Sequence, residues 1–134
     1  EKDLPSTWSP TENIKWKLKL AGPGSSSPII WENKIFLSQS LNKEGSERAL
    51  LCIDRKDGKV LWQKSVNFQG KEPTHSTNPY CSGTPVTDGS KVIVSFGSAG
   101  LYCYDFEGNI LWNKDLGKCI HLWGNSFMIY IVFE

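Results

Sequence analysis

Two histidines, four cysteines and a scatter of carboxylates are the residues of this chain whose chemistry could move a proton or hold a metal. A histidine base needs a partner that fixes its ring and tautomer. His75 lies in Thr74-His75-Ser76-Thr77-Asn78-Pro79-Tyr80 and His121 in Ile120-His121-Leu122-Trp123, and neither belongs to a Ser/His/Asp order or a Gly-x-Ser-x-Gly elbow. The cysteines form no Cys-x-x-Cys pair and no Cys/His set with zinc spacing. No acidic cluster has the makings of a calcium cage. Gly22-Pro23-Gly24 and Gly97-Ser98-Ala99-Gly100 precede no helical pattern, so they read as turn material rather than phosphate cradles. No catalytic residue and no metal ligand is assigned. The binding candidates are His75, Asn78 and Tyr80, on one long polar segment; His121 reads as a loop or strand-end residue.

The elements that must carry these residues repeat. Ile14-Lys15-Trp16-Lys17-Leu18-Lys19-Leu20, Val60-Leu61-Trp62-Gln63-Lys64-Ser65-Val66 and Ile110-Leu111-Trp112-Asn113-Lys114-Asp115-Leu116 share a β-branched residue two before tryptophan and an aliphatic residue four after it. The tryptophans are 46 and 50 residues apart, a spacing typical of propeller blades. Between them, each unit reads as four short strands. Residues 26–30, 34–38, 49–54 and 60–66 make the first unit, and residues 82–86, 91–95, 100–105 and 110–116 make the second. Runs such as Ile35-Phe36-Leu37 and Val92-Ile93-Val94 suit strands buried on both faces. Asp54 and Asp105 stand at equivalent strand ends, before the turn glycines Gly58 and Gly108, which predicts a turn role for all four. Trp16, Trp62 and Trp112 are expected to pack between neighbouring blades. If buried, each should cost roughly 3–5 kcal/mol on replacement by alanine.

The predicted class is all-β, a β-propeller segment of four-stranded antiparallel blades. Blade units are expected at about 25–66 and 82–116, with 14–20 as the outer strand of a preceding blade. Residues 120–134 are expected either to start a further blade or to be a tail unrelated to the repeat. Two segments interrupt the pattern. Residues 39–48 are polar and read as an extended loop between the second and third strands, and residues 67–80 read as a long connection between blades. Closing a propeller takes four to eight blades or so, so the chain reads as a fragment of a longer one.

A formal net charge of +1 gives no electrostatic reason to expect nucleic acid as a partner. Lys15, Lys17 and Lys19 alternate with apolar residues and read as a solvated strand face. No run reaches transmembrane length, and the opening Glu1-Lys2-Asp3, with no apolar stretch behind it, does not read as a signal peptide. Cys52 and Cys103 occupy equivalent positions in successive units, too far apart to bridge, and read as small buried residues.

Leu51-Cys52-Ile53-Asp54, Asp57-Gly58-Lys59 and Val60-Leu61-Trp62 resemble the repeat of the pyrroloquinoline-quinone (PQQ)-like β-propeller family. So do Leu101-Tyr102-Cys103-Tyr104-Asp105, Gly108-Asn109 and Ile110-Leu111-Trp112. The resemblance covers residues 4–126. It implies a periplasmic or extracellular protein, and a non-catalytic binding or scaffold propeller with a protein or polymer partner alongside the remaining blades. It leaves open a piece of a PQQ-dependent dehydrogenase-like enzyme, or a sensor propeller fused to a signalling enzyme. No cofactor is expected in this chain; PQQ with calcium would follow only if the longer protein is an enzyme. The adjacent-cysteine disulfide of the dehydrogenases has no counterpart here.

Overall fold

The computed structural model describes residues 5–120 together with residue 129. His121 and nearly all of the segment expected to open a further blade therefore fall outside the described residues.

Alternating and β-branched residues build two four-stranded antiparallel sheets. The first contains β1 (Ile29–Trp31), β2 (Lys34–Ser40), β3 (Glu47–Asp54) and β4 (Val60–Asn67) in sequential order. The second contains β5 (Val86–Thr87), β6 (Lys91–Ser95), β7 (Leu101–Asp105) and β8 (Ile110–Lys114), again in order. A 3-10 turn, Gly97–Ala99, joins β6 to β7. Both sheets carry a register irregularity at the same place, between Cys52 and Ile53 and between Cys103 and Tyr104, where the tryptophan strand pairs. A bulge there raises the local twist of the outer strand.

The sheets pack face to face. Phe36, Leu50 and Cys52 from the first meet Val92, Val94, Phe96 and Tyr104 from the second in one buried cluster. The opposite face of the first sheet presents Ile35, Ala49, Leu51 and Ile53, which Trp16 and Leu18 cover. Period-two alternation makes this two-sided burial possible, since successive side chains of β3 point to opposite faces. Burying one such side chain contributes about 1.5–3 kcal/mol.

One feature differs from the expected organisation. Residues 39–48 are not a loop: β2 runs through Ser40 and β3 starts at Glu47, with Gln39 opposite Ala49 and Ser40 opposite Arg48. Ser40 and Arg48 can stand in extended strand because their side chains find partners inside; Ser40 Oγ, for example, donates to the Asn42 carbonyl at 2.6 Å. Only residues 41–46 form the connection, closed by Asn42 Nδ2 donating to Ser46 Oγ and Ser46 N–H donating to Asn42 Oδ1. Residues 14–20 keep the expected alternation, with Trp16 and Leu18 half-buried and the lysines exposed. Among the described residues they have no ladder partner and belong to neither of the two sheets. No described helix is long and apolar enough to cross a membrane.

Candidate functional site

Antiparallel order places the β2–β3 connection, the start of the 67–80 segment and the β6–β7 turn at one end of the sheets. The β3–β4 and β7–β8 turns lie at the other. At the first end, one side chain ties the loops together. Arg48, 1% exposed, donates from Nε to the Gly45 carbonyl at 2.8 Å and from Nη1 to the carbonyl of Phe96, the residue after β6. Its Nη2 lies 2.6 Å from Glu72 Oε2, and both side chains are buried. The guanidinium plane is flanked by the rings of Phe68 and Tyr80, with centroids 4.9 and 4.8 Å away. An arginine suits this place because a planar cation can stack on rings and donate in several in-plane directions at once. Glu72 Oε1 also accepts from Ser98 N–H at 3.4 Å, so the ion pair reaches the 3-10 turn.

The binding candidates divide in this setting. The Tyr80 ring packs on Arg48 and covers Gly45, and its hydroxyl donates to the Glu72 carbonyl at 3.2 Å. It holds the segment from within. His75 and Asn78 sit at the segment's tip, joined by an isolated bridge in which Asn78 N–H donates to the His75 carbonyl at 2.9 Å. Thr77 N–H points to His75 Nδ1 at 3.3 Å, and Thr74 Oγ1 donates to the Asn78 carbonyl at 2.6 Å. The tip is thus a closed, self-bonded turn with Ser76 and Thr77 exposed on its outside. A small cavity lined by Arg48, Glu72, Tyr80, Cys81 and Ser95 lies beneath it, with about 10 Å³ for the centre of a water-sized sphere. That is room for about one water and no substrate. Burial pushes the Cys81 thiol up to about 12, far from a reactive thiolate.

At the other end, the repeat residues form the same joint twice. Trp16 Nε1 donates to the Arg55 carbonyl at 2.9 Å, and Trp62 Nε1 donates to the Phe106 carbonyl at 2.9 Å. Each acceptor follows the turn aspartate directly. Asp54 accepts from Lys56 N–H at 2.6 Å and from Asn33 Nδ2 at 2.9 Å. Asp105 accepts from Asn109 N–H at 2.7 Å, Asn109 Nδ2 at 2.8 Å and Glu107 N–H at 3.0 Å. Gly58 and Gly108 adopt positive φ of 76° and 83°, and each lies under the indole of its joint. A Cβ on Gly58 would stand 2.5 Å from Trp16. Trp112 is the third indole of the series, 37% exposed, and among the described residues it has no counterpart of this hydrogen bond. The cost of several kcal/mol expected for a buried tryptophan does not extend to Trp112 in this chain.

Sequence reasoning missed Arg48, which it left in a loop. One signal was available: Arg48, Leu50 and Cys52 are two apart, so they share a face of β3. Among the described residues, no three His, Cys, Asp or Glu side chains converge on a metal position.

Sequential four-stranded sheets, stacked face to face and joined through an indole and a turn, define a β-propeller segment. The chain belongs to the PQQ-like β-propeller repeat family: the family model described as outer membrane protein assembly factor BamB matches residues 46–121. Among solved structures, the crystal structure of BamB from Moraxella catarrhalis is similar, with a TM-score of 0.59 at 15% identity. That match covers 81% of this chain and 30% of the BamB chain, so the present chain spans less than a third of that propeller's length. No curated protein matches.

Proposed function

We propose that this chain is part of a non-catalytic binding or scaffold propeller that engages a protein or polymer partner in the periplasm or outside the cell. The observation that carries this reading is the Arg48 and Glu72 pair, which draws three loops into one fixed end of the sheets. Preorganised loops lose less conformational entropy on binding than free ones. The assembly-factor description of the matching family supports a protein partner and an envelope location. On this reading His75 and Asn78 form the contact tip with Tyr80 as its support. Trp16, Trp62, Trp112, Asp54, Asp105, Gly58 and Gly108 are structural, and the remaining blades of the ring are further partners.

A photo-crosslinking amino acid at exposed Ser76 tests the reading in the natural envelope. A discrete adduct is expected from position 76, none from Lys56 at the opposite end, and loss of the adduct in Arg48→Met. Identical adducts from both positions, or none from position 76, would overturn it.

A further inference from the structure

We propose that the seam between β4 and β8 is a binding trough for a neutral oligosaccharide chain. The repeat builds two seams in this chain, and they differ at equivalent positions. In the first, Leu51 and Ile53 of β3 are sealed by Trp16 and Leu18, an apolar closure. Counted from the turn aspartates Asp54 and Asp105, Tyr102 and Tyr104 of β7 hold the places of Leu51 and Ile53. Counted from the tryptophans, Lys64 holds the place of Leu18. Trp62 still packs near Tyr104, with ring centroids 6.3 Å apart. The apolar closure has therefore become two phenols beside a lysine. Sealing a seam needs none of these polar groups, since Leu51, Ile53 and Leu18 do it without them.

Two grooves follow the altered seam. One, of about 390 Å³, is lined by Asn67, Tyr102 and Asn113. The other, of about 380 Å³, is lined by Lys64, Ser65 and Tyr104. Both fall in the size range of small-ligand sites, and β4 and β8 of this chain contribute residues to each. The Tyr102 and Tyr104 rings lie at 16° with centroids 6.2 Å apart, so the base of the seam is aromatic. Tyr104 is 1% exposed, and its hydroxyl is buried with no hydrogen-bond partner among the described residues. Burial pushes its pKa up to about 12, so at neutral pH it keeps the proton that a partner would accept. A buried donor without an acceptor is costly, and a sugar hydroxyl supplies one through a bridging water. The charged side chains of the grooves are Lys64, Lys114 and Asp115, two cations against one anion. That excess is too small to hold a polyanion. A ring for the C–H face of a sugar, with amides and a hydroxyl for its edge, complements a neutral saccharide. The trough is separate from the turn at residues 75–78 and does not depend on the role proposed for that turn.

Cellohexaose and chitohexaose, titrated into the full chain and followed by NMR at the side-chain amides of Asn67 and Asn113, supply the test. Saturable shifts with at least one of the two sugars are expected, with His75 unmoved. Lys64→Leu, which restores the apolar closure of the first seam, should weaken binding about tenfold without lowering the thermal midpoint. Tyr104→Phe, which removes only the unpartnered hydroxyl, should weaken it about threefold and leave the midpoint unchanged or higher. No saturable shift with either sugar would overturn the proposal, as would undiminished affinity in either variant. Shifts confined to His75 and Asn78 would also overturn it, assigning the sugar to the loop tip. So would shifts from a pool of random decapeptides that neither sugar produces, which assigns the trough to a peptide.

Discussion

Replacing Arg48 with methionine would leave the Glu72 carboxylate buried without the cation 2.6 Å away. Breaking a buried pair from one side costs about 3–5 kcal/mol. Arg48→Met is therefore expected to lower the urea midpoint sharply, and Arg48→Met with Glu72→Leu to cost less than the two single changes summed. Asp105 gives a prediction with the opposite exposure. The Asn109 side chain and backbone, donating to its carboxylate, hold Asp105 below the ordinary value of 3.8. A carboxyl whose folded value is depressed contributes stability above its unfolded value and loses it as pH falls through the folded one. The gap in urea midpoint between the native chain and Asp105→Ala should be present at neutral pH and close as pH drops below about 4. The turn role of Asp105 was legible because a short acceptor before a glycine is a local signal. The role of Arg48 was not. Its burial depends on Phe68, Glu72 and Tyr80, and no pattern within β3 points to a segment at least 20 residues downstream.

Strands and turns were the most readable elements, since alternation and turn glycines are local and each recurs in the second unit. Each of the eight described strands has a counterpart in the sequence pattern, although β1 and β5 begin at Ile29 and Val86 rather than at 26 and 82, and the long apolar strands carry the core. The boundaries failed at β2 and β3, where Gln39, Ser40 and Arg48 made a buried stretch look solvated. Polarity marks a loop only when partners for the polar groups are missing, and for Arg48 they come from the β2–β3 connection, Phe96 and Glu72. The same dependence on neighbours separates the tryptophan strands. Trp62 has a turn to dock on, while Trp112 on β8 is exposed. Trp62→Ala is expected to cost on the order of 3 kcal/mol, and Trp112→Ala in this chain less than about 1. Trp62→Phe, which keeps a ring and loses the N–H, should cost about 1 kcal/mol. Thermal or urea unfolding of the three variants checks the order.

The molecule behaves as an array whose units share cores rather than own them. Phe36 lies in the first sheet but packs on Phe106 in the β7–β8 turn, and both sheets contribute to one buried cluster. Neighbour terms of this kind dominate the stability of repeat proteins. Phe36→Ala is therefore expected to cost roughly 3–5 kcal/mol and to speed amide exchange in β6 and β7 as well as in β2 and β3. Exchange that rises in the first sheet alone would mean that the blades open independently. The joint between units also bears on how such rings change size over generations. Its two halves, an indole and an aspartate-glycine turn, recur once per unit, with Trp62 and Trp112 50 residues apart. A tandem duplication of one period copies one of each wherever its ends fall in the gene. Blade number can then drift by whole units, with no second mutation needed to repair a seam.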